Sequence, residues 1–214
     1  MRTALIALAA SVLCLGQTIS VTQIAHRVPP GAAREYRASL KALGSGDLAQ
    51  SLAHCQKAVA ADPENASAHN DLGVLYINSA QMEKALAEFN REIELEPRAP
   101  RGHLNASFTL LALGRAHDAE TAARNALETD RTNRRAHLLL GWSLAAEYRY
   151  TAEALESLRR ASNEFPEAHL AAADVLVHRG SLDRARAEIE AYLISGSTEQ
   201  KQVAEAWLKL LTLE

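Results

Sequence analysis

Apolar residues recur at helical spacing along the chain from Ala32 onward, with polar residues between them, and short breaks interrupt this pattern at regular intervals. Gly46, Gly114 and Gly180 each lie between two such stretches, where a chain reversal needs left-handed backbone angles that glycine adopts at little cost. The pattern therefore predicts a series of helix pairs. Their predicted bounds are 32–61, 66–96, 100–129, 134–164 and 167–194, and a last helix follows at 198–212.

Small residues mark the same place in every pair. They follow one another at intervals of 34 residues, with the last interval shortened to 32: Ser39, Gly73, Ser107, Gly141 and Ala173. A period of this length indicates one supersecondary unit that is copied along the chain, because a single helix pair cannot bury its apolar face alone. The fourth copy carries one extra residue near Tyr150.

The second pair carries the most specific motif. The segment 69–76 reads His-Asn-Asp-Leu-Gly-Val-Leu-Tyr and is followed by Ala85, Phe89 and Pro97. This motif resembles the tetratricopeptide repeat almost position by position, with His69 in place of the family's leading Trp. The resemblance implies an all-α, right-handed superhelical solenoid of about five helix-turn-helix repeats, closed by a C-terminal capping helix. The glycine of the motif and Ala85 are expected to let the two helices approach closely.

The two ends of the chain have patterns of their own. Residues 1–16 contain an early arginine and a short apolar run, which predict a signal peptide, or an N-terminal anchor if the segment is retained. The stretch 17–31 ends in two prolines and a glycine and predicts a linker without helix. Residues 32–214 form the predicted repeat domain. Its last helix is expected to begin with a capping box from Ser197 to Gln200.

The predicted signal peptide implies an exported protein, either periplasmic or secreted. Its apolar run is shorter than the ~20 residues that a membrane-spanning helix needs, so a membrane association is expected only if the segment stays uncleaved. After cleavage Cys55 would be the only cysteine, and no internal disulfide is expected.

The overall composition narrows the range of partners. Of the 214 residues, 48% are hydrophobic and 5% are aromatic, which favours helices packed closely through small side chains. The formal net charge is -3, and the 23 basic and 26 acidic residues are interspersed. Because a nucleic-acid-binding protein usually presents a basic face, nucleic acid is not an expected partner.

The histidines are the first candidates for chemistry. His69, His103, His137 and His169 occupy the same place in successive repeats. Equivalent atoms of stacked helices lie on the order of 10 Å apart, whereas zinc ligands lie ~2.0–2.1 Å from the ion, so neighbouring histidines cannot share one ion. We therefore expect them to pack between helices in place of the family's Trp, and we predict no metal site.

Catalytic and cofactor motifs are also missing from the sequence. The chain has no His-Glu-x-x-His, no glycine-rich phosphate loop and no Gly-x-Ser-x-Gly elbow. Carboxylate pairs such as Glu92 and Glu96 fall four residues apart, the spacing of a solvated helix face. We therefore predict no cofactor and no enzymatic activity.

The resemblance also implies a binding surface. In the family the first helix of each pair lines a concave groove through its second, fifth, ninth, twelfth and thirteenth positions. The expected groove residues are Asn70, Val74, Ile77, Arg101, Leu104, Phe108, Leu111, Arg135, Leu138, Trp142, Leu170 and Asp174. They describe an apolar trough with two arginines at its rim, and Phe108 and Trp142 are the expected anchors. The alternative is that a tight superhelix, or the segment 17–31, already covers these side chains.

The function expected from these features is a non-catalytic scaffold. Its groove would bind an apolar or amphipathic segment of a protein partner, whose identity the sequence does not reveal. Two alternatives stay open: a membrane-tethered assembly factor of a cell-envelope system, held by an uncleaved N-terminal segment, and a self-associating structural protein, such as a homodimer.

Overall fold

The computed structural model describes residues 28–195 and 197–211, and all regular secondary structure in these residues is α-helical. One compact unit ends at Gly114 and another begins at Arg115. We call the described residues up to Gly114 the N-terminal unit and those from Arg115 the C-terminal unit. The predicted signal peptide at 1–16 and most of the predicted linker lie outside the described residues. Within the described part, no helix combines the length and apolar character needed to cross a membrane.

Five helices form the N-terminal unit. They are α1 (Pro30–Gly44), α2 (Leu48–Ala61), α3 (Ala66–Asn78), α4 (Met82–Leu95) and α5 (Pro100–Ala112). Each helix packs against the next along the chain. The core between them is built from aromatic and small side chains, with Phe89, Cys55 and Ala85 fully buried.

Six helices form the C-terminal unit. They are α6 (Ala116–Thr129), α7 (Arg134–Ala146), α8 (Ala152–Ala161), α9 (Glu167–His178), α10 (Leu182–Ile194) and α11 (Lys201–Leu211). Consecutive helices pack together, and α7 also contacts α9. The predicted succession of helix pairs is confirmed in both units, and the third predicted pair has its first helix in one unit and its second helix in the other.

The turn inside each pair uses a left-handed residue at one fixed repeat position. These residues are Gly46, Ala80, Gly114, Tyr148 and Gly180, with φ of 81°, 56°, 75°, 60° and 69°. In four of the five turns the next N–H donates to a carbonyl five residues back, the pattern of a helix C-terminus closed by a left-handed residue. The three glycines confirm the turns expected from the sequence, whereas Ala80 and Tyr148 adopt the same backbone despite their side chains.

The close approach of paired helices is also confirmed. A Cβ atom added at Gly73 would lie 2.5 Å from the Phe89 ring, and one added at Gly141 would lie 2.5 Å from Leu158. In the first repeat the two small positions are serines, and Ser39 Oγ lies 3.0 Å from Ser51 Oγ. Small residues are therefore required at these positions because no space is left for a larger one.

Two predicted helix bounds are wrong. Helix α1 begins at Pro30, inside the predicted linker, since the first helical position does not need the N–H that proline lacks. Helix α11 begins at Lys201, and the predicted capping box does not form. Instead the Tyr192 hydroxyl donates to Ser197 Oγ at 3.2 Å and accepts the Gln200 N–H at 2.9 Å. Tyr192, a residue of the preceding helix, thus accepts the hydrogen bond from Gln200 N–H that Ser197 was expected to accept.

Candidate functional site

The expected groove residues lie on the first helices of the repeats, on α3 and α5 in the N-terminal unit and on α7 and α9 in the C-terminal unit. The half-buried ones are Val74, Arg101, Leu111 and Arg135. The buried ones are Asn70, Ile77, Leu104, Phe108, Leu138, Trp142, Leu170 and Asp174.

The central residues of the expected apolar trough are buried in the complete chain. In the complete chain the exposed fractions of Leu104, Phe108, Leu138 and Trp142 are 7%, 3%, 1% and 2%. The role of these side chains in binding a partner stays a prediction.

Arg101 was expected at the rim of the groove, and the structure pairs it with a buried carboxylate. Its Nε donates to Glu92 Oε1 at 2.6 Å, and its Nη2 lies 3.4 Å from Ser67 Oγ. Burial raises the pKa of Glu92 to about 7, although the nearby Arg101 guanidinium acts in the opposite direction. Arg101 is therefore engaged within the protein before any partner arrives.

Glu92 itself overturns a sequence expectation, because it does not lie on a solvated face. Its side chain has no exposed surface, and it holds the repeat position at which Ala58 and Ala126 stand in the neighbouring repeats. Gly102 makes room for it: a Cβ there would lie 3.3 Å from Glu92 Oε2. That oxygen has no hydrogen-bond partner among the described residues. The repeat register contained this signal, whereas the four-residue spacing to Glu96 was misleading.

Polar groups of three first helices in the N-terminal unit bond one another. Asn105 Nδ2 donates to Asn70 Oδ1 at 2.7 Å, and Asn70 Nδ2 donates to Asp71 Oδ1 at 3.0 Å. The Tyr36 hydroxyl donates to the Asp71 carboxylate, and burial raises the pKa of this tyrosine. Asn70 is thus a structural link between α3 and α5, which its groove position alone did not predict.

A pocket of about 290 Å³ opens beside this network in the N-terminal unit. Its lining residues are Val28, Ala32, Ala33, Tyr36, Arg37, Ala58, Asn65, Ser67 and Ala68. The pocket is mainly apolar and is at the small end of the range for ligand sites.

The repeated histidines pack between helices, as expected. The Nε2 atoms of His69, His103 and His137 each donate to the backbone carbonyl six residues earlier, at 3.1, 3.1 and 3.0 Å. His69 also donates from Nδ1 to Glu88 Oε2 at 2.7 Å. Because both ring nitrogens face acceptors, the charged form of His69 is favoured and its pKa is raised even though burial lowers it. These histidines hold the connection between repeats together.

The pairing of a histidine with a glutamate recurs at one place in the repeat. The Nδ1–Oε2 distances are 2.7 Å for His69–Glu88, 2.7 Å for His169–Glu188 and 2.8 Å for His54–Glu35. In the first repeat the two residue types are exchanged between the helices, with glutamate on the first helix and histidine on the second. The exchange preserves the pair, which indicates a contact that holds the helices of one repeat together.

One cluster in the C-terminal unit has donor atoms close enough to one another for a single cation. The candidate ligand atoms of His117, Glu120 and Glu147 lie within 4.8 Å of one another. However, Arg124 Nη2 donates to Glu120 Oε1 at 2.8 Å, and Arg149 Nη1 donates to both carboxylates. These arginines neutralise the carboxylates and hold the pKa of Glu120 below its usual range. The group is an ion-pair network, which sequence reading missed because its members lie in different repeats.

A second cluster in the C-terminal unit combines aromatic rings with a buried acid. The rings of Tyr150 and His178 stack with centroids 4.0 Å apart, and Tyr148 meets Tyr150 edge to face at 6.3 Å. Asp174 lies next to them, and its Oδ1 is buried without a hydrogen bond among the described residues. Burial raises the pKa of this carboxyl. We call Tyr148, Tyr150, Asp174 and His178 the aromatic-acidic cluster.

The indole of Trp142, an expected anchor, also has a buried polar group without a hydrogen bond among the described residues. Its Nε1–H is buried and has no acceptor among the described residues. A buried unpaired donor is unfavourable by about 1–3 kcal/mol. Trp142 and Asp174 occupy the same repeat position on α7 and α9, and each has a buried polar atom without a hydrogen bond among the described residues.

Comparisons with known proteins agree with this architecture. Family models described as tetratricopeptide repeat match residues 42–106, 109–162 and 151–200. A comparison with curated protein sequences finds no significant relative.

Several solved structures share the fold. The chain is similar to MamA from Desulfovibrio magneticus RS-1, with a TM-score of 0.71 at 15% identity, covering 78% of this chain and 96% of that one. It is similar to PilW, described as a type IV pilus biogenesis factor, with a TM-score of 0.66 at 21% identity, covering 82% and 79%. It is also similar to YrrB, described as having an unusual peptide-binding site, with a TM-score of 0.64 at 18% identity, covering 76% and 84%.

The family matches extend over most of the chain, and the helix pairs, small-residue contacts and turns of the structure follow the same repeat. The chain belongs to the tetratricopeptide repeat family.

Proposed function

We propose that this protein is a non-catalytic scaffold that binds an apolar or amphipathic segment of a protein partner on the first helices of its repeats. Proteins of this fold bind other proteins through such surfaces, and YrrB, to which the chain is similar, is described as having a peptide-binding site. Fold alone does not decide function, so the proposal depends on the side chains at the expected positions.

The observation that carries the proposal is the unpaired indole N–H of Trp142. Helix α7 is buried from Ala136 to Ala145, yet this one donor finds no acceptor among the described residues. A backbone carbonyl of an extended segment would supply the missing acceptor. Trp and other aromatic residues also contribute most strongly to binding energy at interfaces. The same side chain therefore offers both an apolar contact and an orienting hydrogen bond.

Binding at either expected anchor, Phe108 in the N-terminal unit or Trp142 in the C-terminal unit, requires a change in exposure. Phe108 and Trp142 are 3% and 2% exposed in the complete chain, so a partner that contacts them first has to uncover them. The free energy needed for uncovering lowers the apparent affinity, as for any protein whose binding-competent state is a minor one.

Capture of partners from a cell-envelope extract tests the scaffold function. We expect that Phe108→Ala combined with Trp142→Ala abolishes capture, while Trp207→Ala, which changes the other tryptophan on α11, does not. Circular dichroism checks that helicity is retained. Equal capture by the double variant and the wild type contradicts the proposal.

Fluorescence provides a second test, since removal of two buried aromatic side chains destabilises the protein. In the Trp207→Phe variant, Trp142 is the only tryptophan, and binding of a captured partner is expected to shift its emission. An unchanged emission at saturating partner contradicts a binding site at Trp142.

We also propose that the protein is exported, on the basis of its first 16 residues. The likeness to PilW, a pilus biogenesis factor, supports an envelope role and keeps a membrane-tethered assembly factor as the second candidate function. N-terminal sequencing of the mature protein distinguishes the two: a start near Gln17 or Val21 supports the exported, untethered form. Light scattering at high concentration decides whether the protein forms a homodimer.

A further inference from the structure

We propose that the exposed face of α1 that carries Arg34, Arg37 and Lys41 binds the surface of an anionic phospholipid bilayer. We call these three residues the basic face. The inference goes beyond the proposed scaffold function, because it assigns a second partner to a part of the first repeat that the groove does not use.

The repeat register shows that the basic face replaces side chains that elsewhere contact the preceding repeat. The equivalent positions on α3 and α5 are buried, except for the half-buried Asp71: Ala68, Leu75, Gly102, Asn105 and Thr109. A Cβ added at Gly102 would lie 2.9 Å from Ile93 of the helix before it. No helix of the described residues precedes α1, and the side chain of Arg34 is 77% exposed. The basic face is therefore open to a partner outside the repeats.

The charges of the basic face are not balanced by acids. Neither Arg37 nor Lys41 forms an ion pair among the described residues, and both are exposed. Arg34 bonds only its sequence neighbour Glu35, at 3.3 Å. The last helix, α11, differs because it carries both signs, with a lysine and a glutamate 3.9 Å apart. Solvation alone is satisfied by mixed charges, so three cations of one sign indicate an anionic partner.

The charge of the whole chain is divided in the same way. Both signs occur throughout the sequence, but residues 1–61 contain six lysines and arginines against two acids, whereas residues 62–214 contain 17 against 24. The two acids of the first part are engaged, since Asp47 caps α2 and Glu35 lies 2.8 Å from His54. Charge asymmetry of this kind is typical of proteins that contact a membrane or a nucleic acid. An anionic surface attracts the first repeat and repels the rest.

Apolar neighbours favour a bilayer over a nucleic acid or an acidic polypeptide. Leu40 and Leu43 border the basic face and are 49% and 39% exposed. Helices that lie in a membrane interface combine basic residues with leucines, which enter the boundary between headgroups and acyl chains. A nucleic acid or an acidic polypeptide offers no apolar layer for these leucines. The cations also form a row along one helix, with Arg34 and Lys41 about 10.5 Å apart along its axis, which suits a flat surface.

The position of α1 in the sequence agrees with this partner. Helix α1 begins at Pro30, and the 13 residues 17–29 separate it from the predicted signal peptide or anchor. These residues span at most about 45 Å, so an uncleaved segment in a bilayer would keep α1 near its surface. Anionic lipids attract basic residues close to a membrane segment, each by about fivefold in the binding constant.

Co-sedimentation of the full chain with vesicles tests the inference. One set of vesicles is pure phosphatidylcholine, and the other contains equal parts of phosphatidylcholine and phosphatidylglycerol. The apolar N-terminal run can bind both sets, so the measured quantity is the ratio of the two partition coefficients. We expect the wild type to prefer the anionic vesicles by roughly a hundredfold at low salt, from three cations at about fivefold each. This preference should disappear in about 1 M salt.

Two variants with the same change in net charge separate the basic face from charge in general. Arg37→Gln combined with Lys41→Gln is expected to lower the ratio by roughly twentyfold. The control combines Arg98→Gln with Arg184→Gln, two exposed arginines outside the first repeat without an ion pair among the described residues, and should leave the ratio unchanged. All four side chains are exposed, and circular dichroism checks that both variants fold.

Three results overturn the inference: a wild type without a preference for anionic vesicles, equal ratios for the two variants, or tighter binding to soluble polyglutamate than to the anionic vesicles. The last result would assign the basic face to an acidic polypeptide. None of them bears on the scaffold function, which the capture experiment with Phe108 and Trp142 decides separately.

Discussion

Replacing Glu92 by glutamine is expected to remove a large pH dependence from the stability of the N-terminal unit. Glu92 has no exposed surface, and burial raises its pKa from 4.5 to about 7. In the unfolded chain the carboxyl ionises near 4.5, so the folded state binds the additional proton between these two pH values. The contribution of Glu92 to stability is therefore complete below pH 4.5 and is lost as the pH rises through 7.

The magnitude follows from the size of the pKa change. Each pKa unit corresponds to 1.36 kcal/mol, so the change from 4.5 to about 7 amounts to about 3 kcal/mol between acid and pH 8. This is a large share of the 5–15 kcal/mol typical of a domain. Glutamine has nearly the shape of the protonated acid and cannot ionise. The free energy of unfolding of Glu92→Gln, relative to that of the wild type, should therefore rise by about 3 kcal/mol from pH 4.5 to pH 8.

Urea unfolding of both proteins at a series of pH values provides the measurement, and the difference between them cancels the titration of all other groups. Glu94→Gln, an exposed acid on the same helix, is the matched control and should run parallel to the wild type. An NMR titration of the Glu92 carboxyl carbon gives the pKa directly. A midpoint near 4.5, or parallel stability curves for Glu92→Gln and wild type, would refute the reasoning.

Three further predictions concern packing, turns and titration. Gly73→Ala should destabilise the protein by about 1–3 kcal/mol in urea unfolding, because the new Cβ would meet Phe89. The control Gly44→Ala, whose Cβ meets nothing within 4 Å, should be neutral or stabilising. Equal effects of the two substitutions would contradict close packing at Gly73. Ala80→Gly should raise stability by up to about 1 kcal/mol, since glycine suits its left-handed backbone, and a loss would show that the turn is not strained. In NMR titrations His69 should deprotonate above pH 6.5 and His137 below it. The stability that the charged His69 contributes should decline as the pH rises through its raised pKa. A shared midpoint would contradict the contrast between His69 Nδ1, which bonds Glu88, and His137 Nδ1, which has no hydrogen-bond partner among the described residues.

Local patterns predicted the helices and turns well because the repeat itself is local. Each helix pair closes within about thirty residues, so spacing, breakers and small residues carry enough information to locate it. The two mistaken bounds arose where a residue outside the local window decided the outcome. Tyr192 caps the last helix in place of Ser197. Helix α1 begins at Pro30 because the first helical position tolerates proline.

The site was less predictable than the fold. Helical spacing could place Asp174 and Trp142 at groove positions, but an unpaired hydrogen-bonding group is a property of everything that surrounds it. The misassignment of Glu92 has the same origin: its spacing to Glu96 suggested water, while the repeat register placed it between helices. Exposure of Phe108 and Trp142 was likewise beyond the reach of sequence, since burial depends on distant parts of the chain.

By itself the sequence determined the repeat length, the helix pairs, the positions of the small contact residues and the structural role of the repeated histidines. These features follow from periodicity and from side-chain size. Only the tertiary structure decided which polar groups find partners. Arg101 pairs with Glu92, Asn70 pairs with Asn105, and Asp174 Oδ1 accepts no hydrogen bond among the described residues. The physical reason is that hydrogen bonds and pKa values depend on distances of a few ångströms between residues from different helices, which a periodic pattern does not encode.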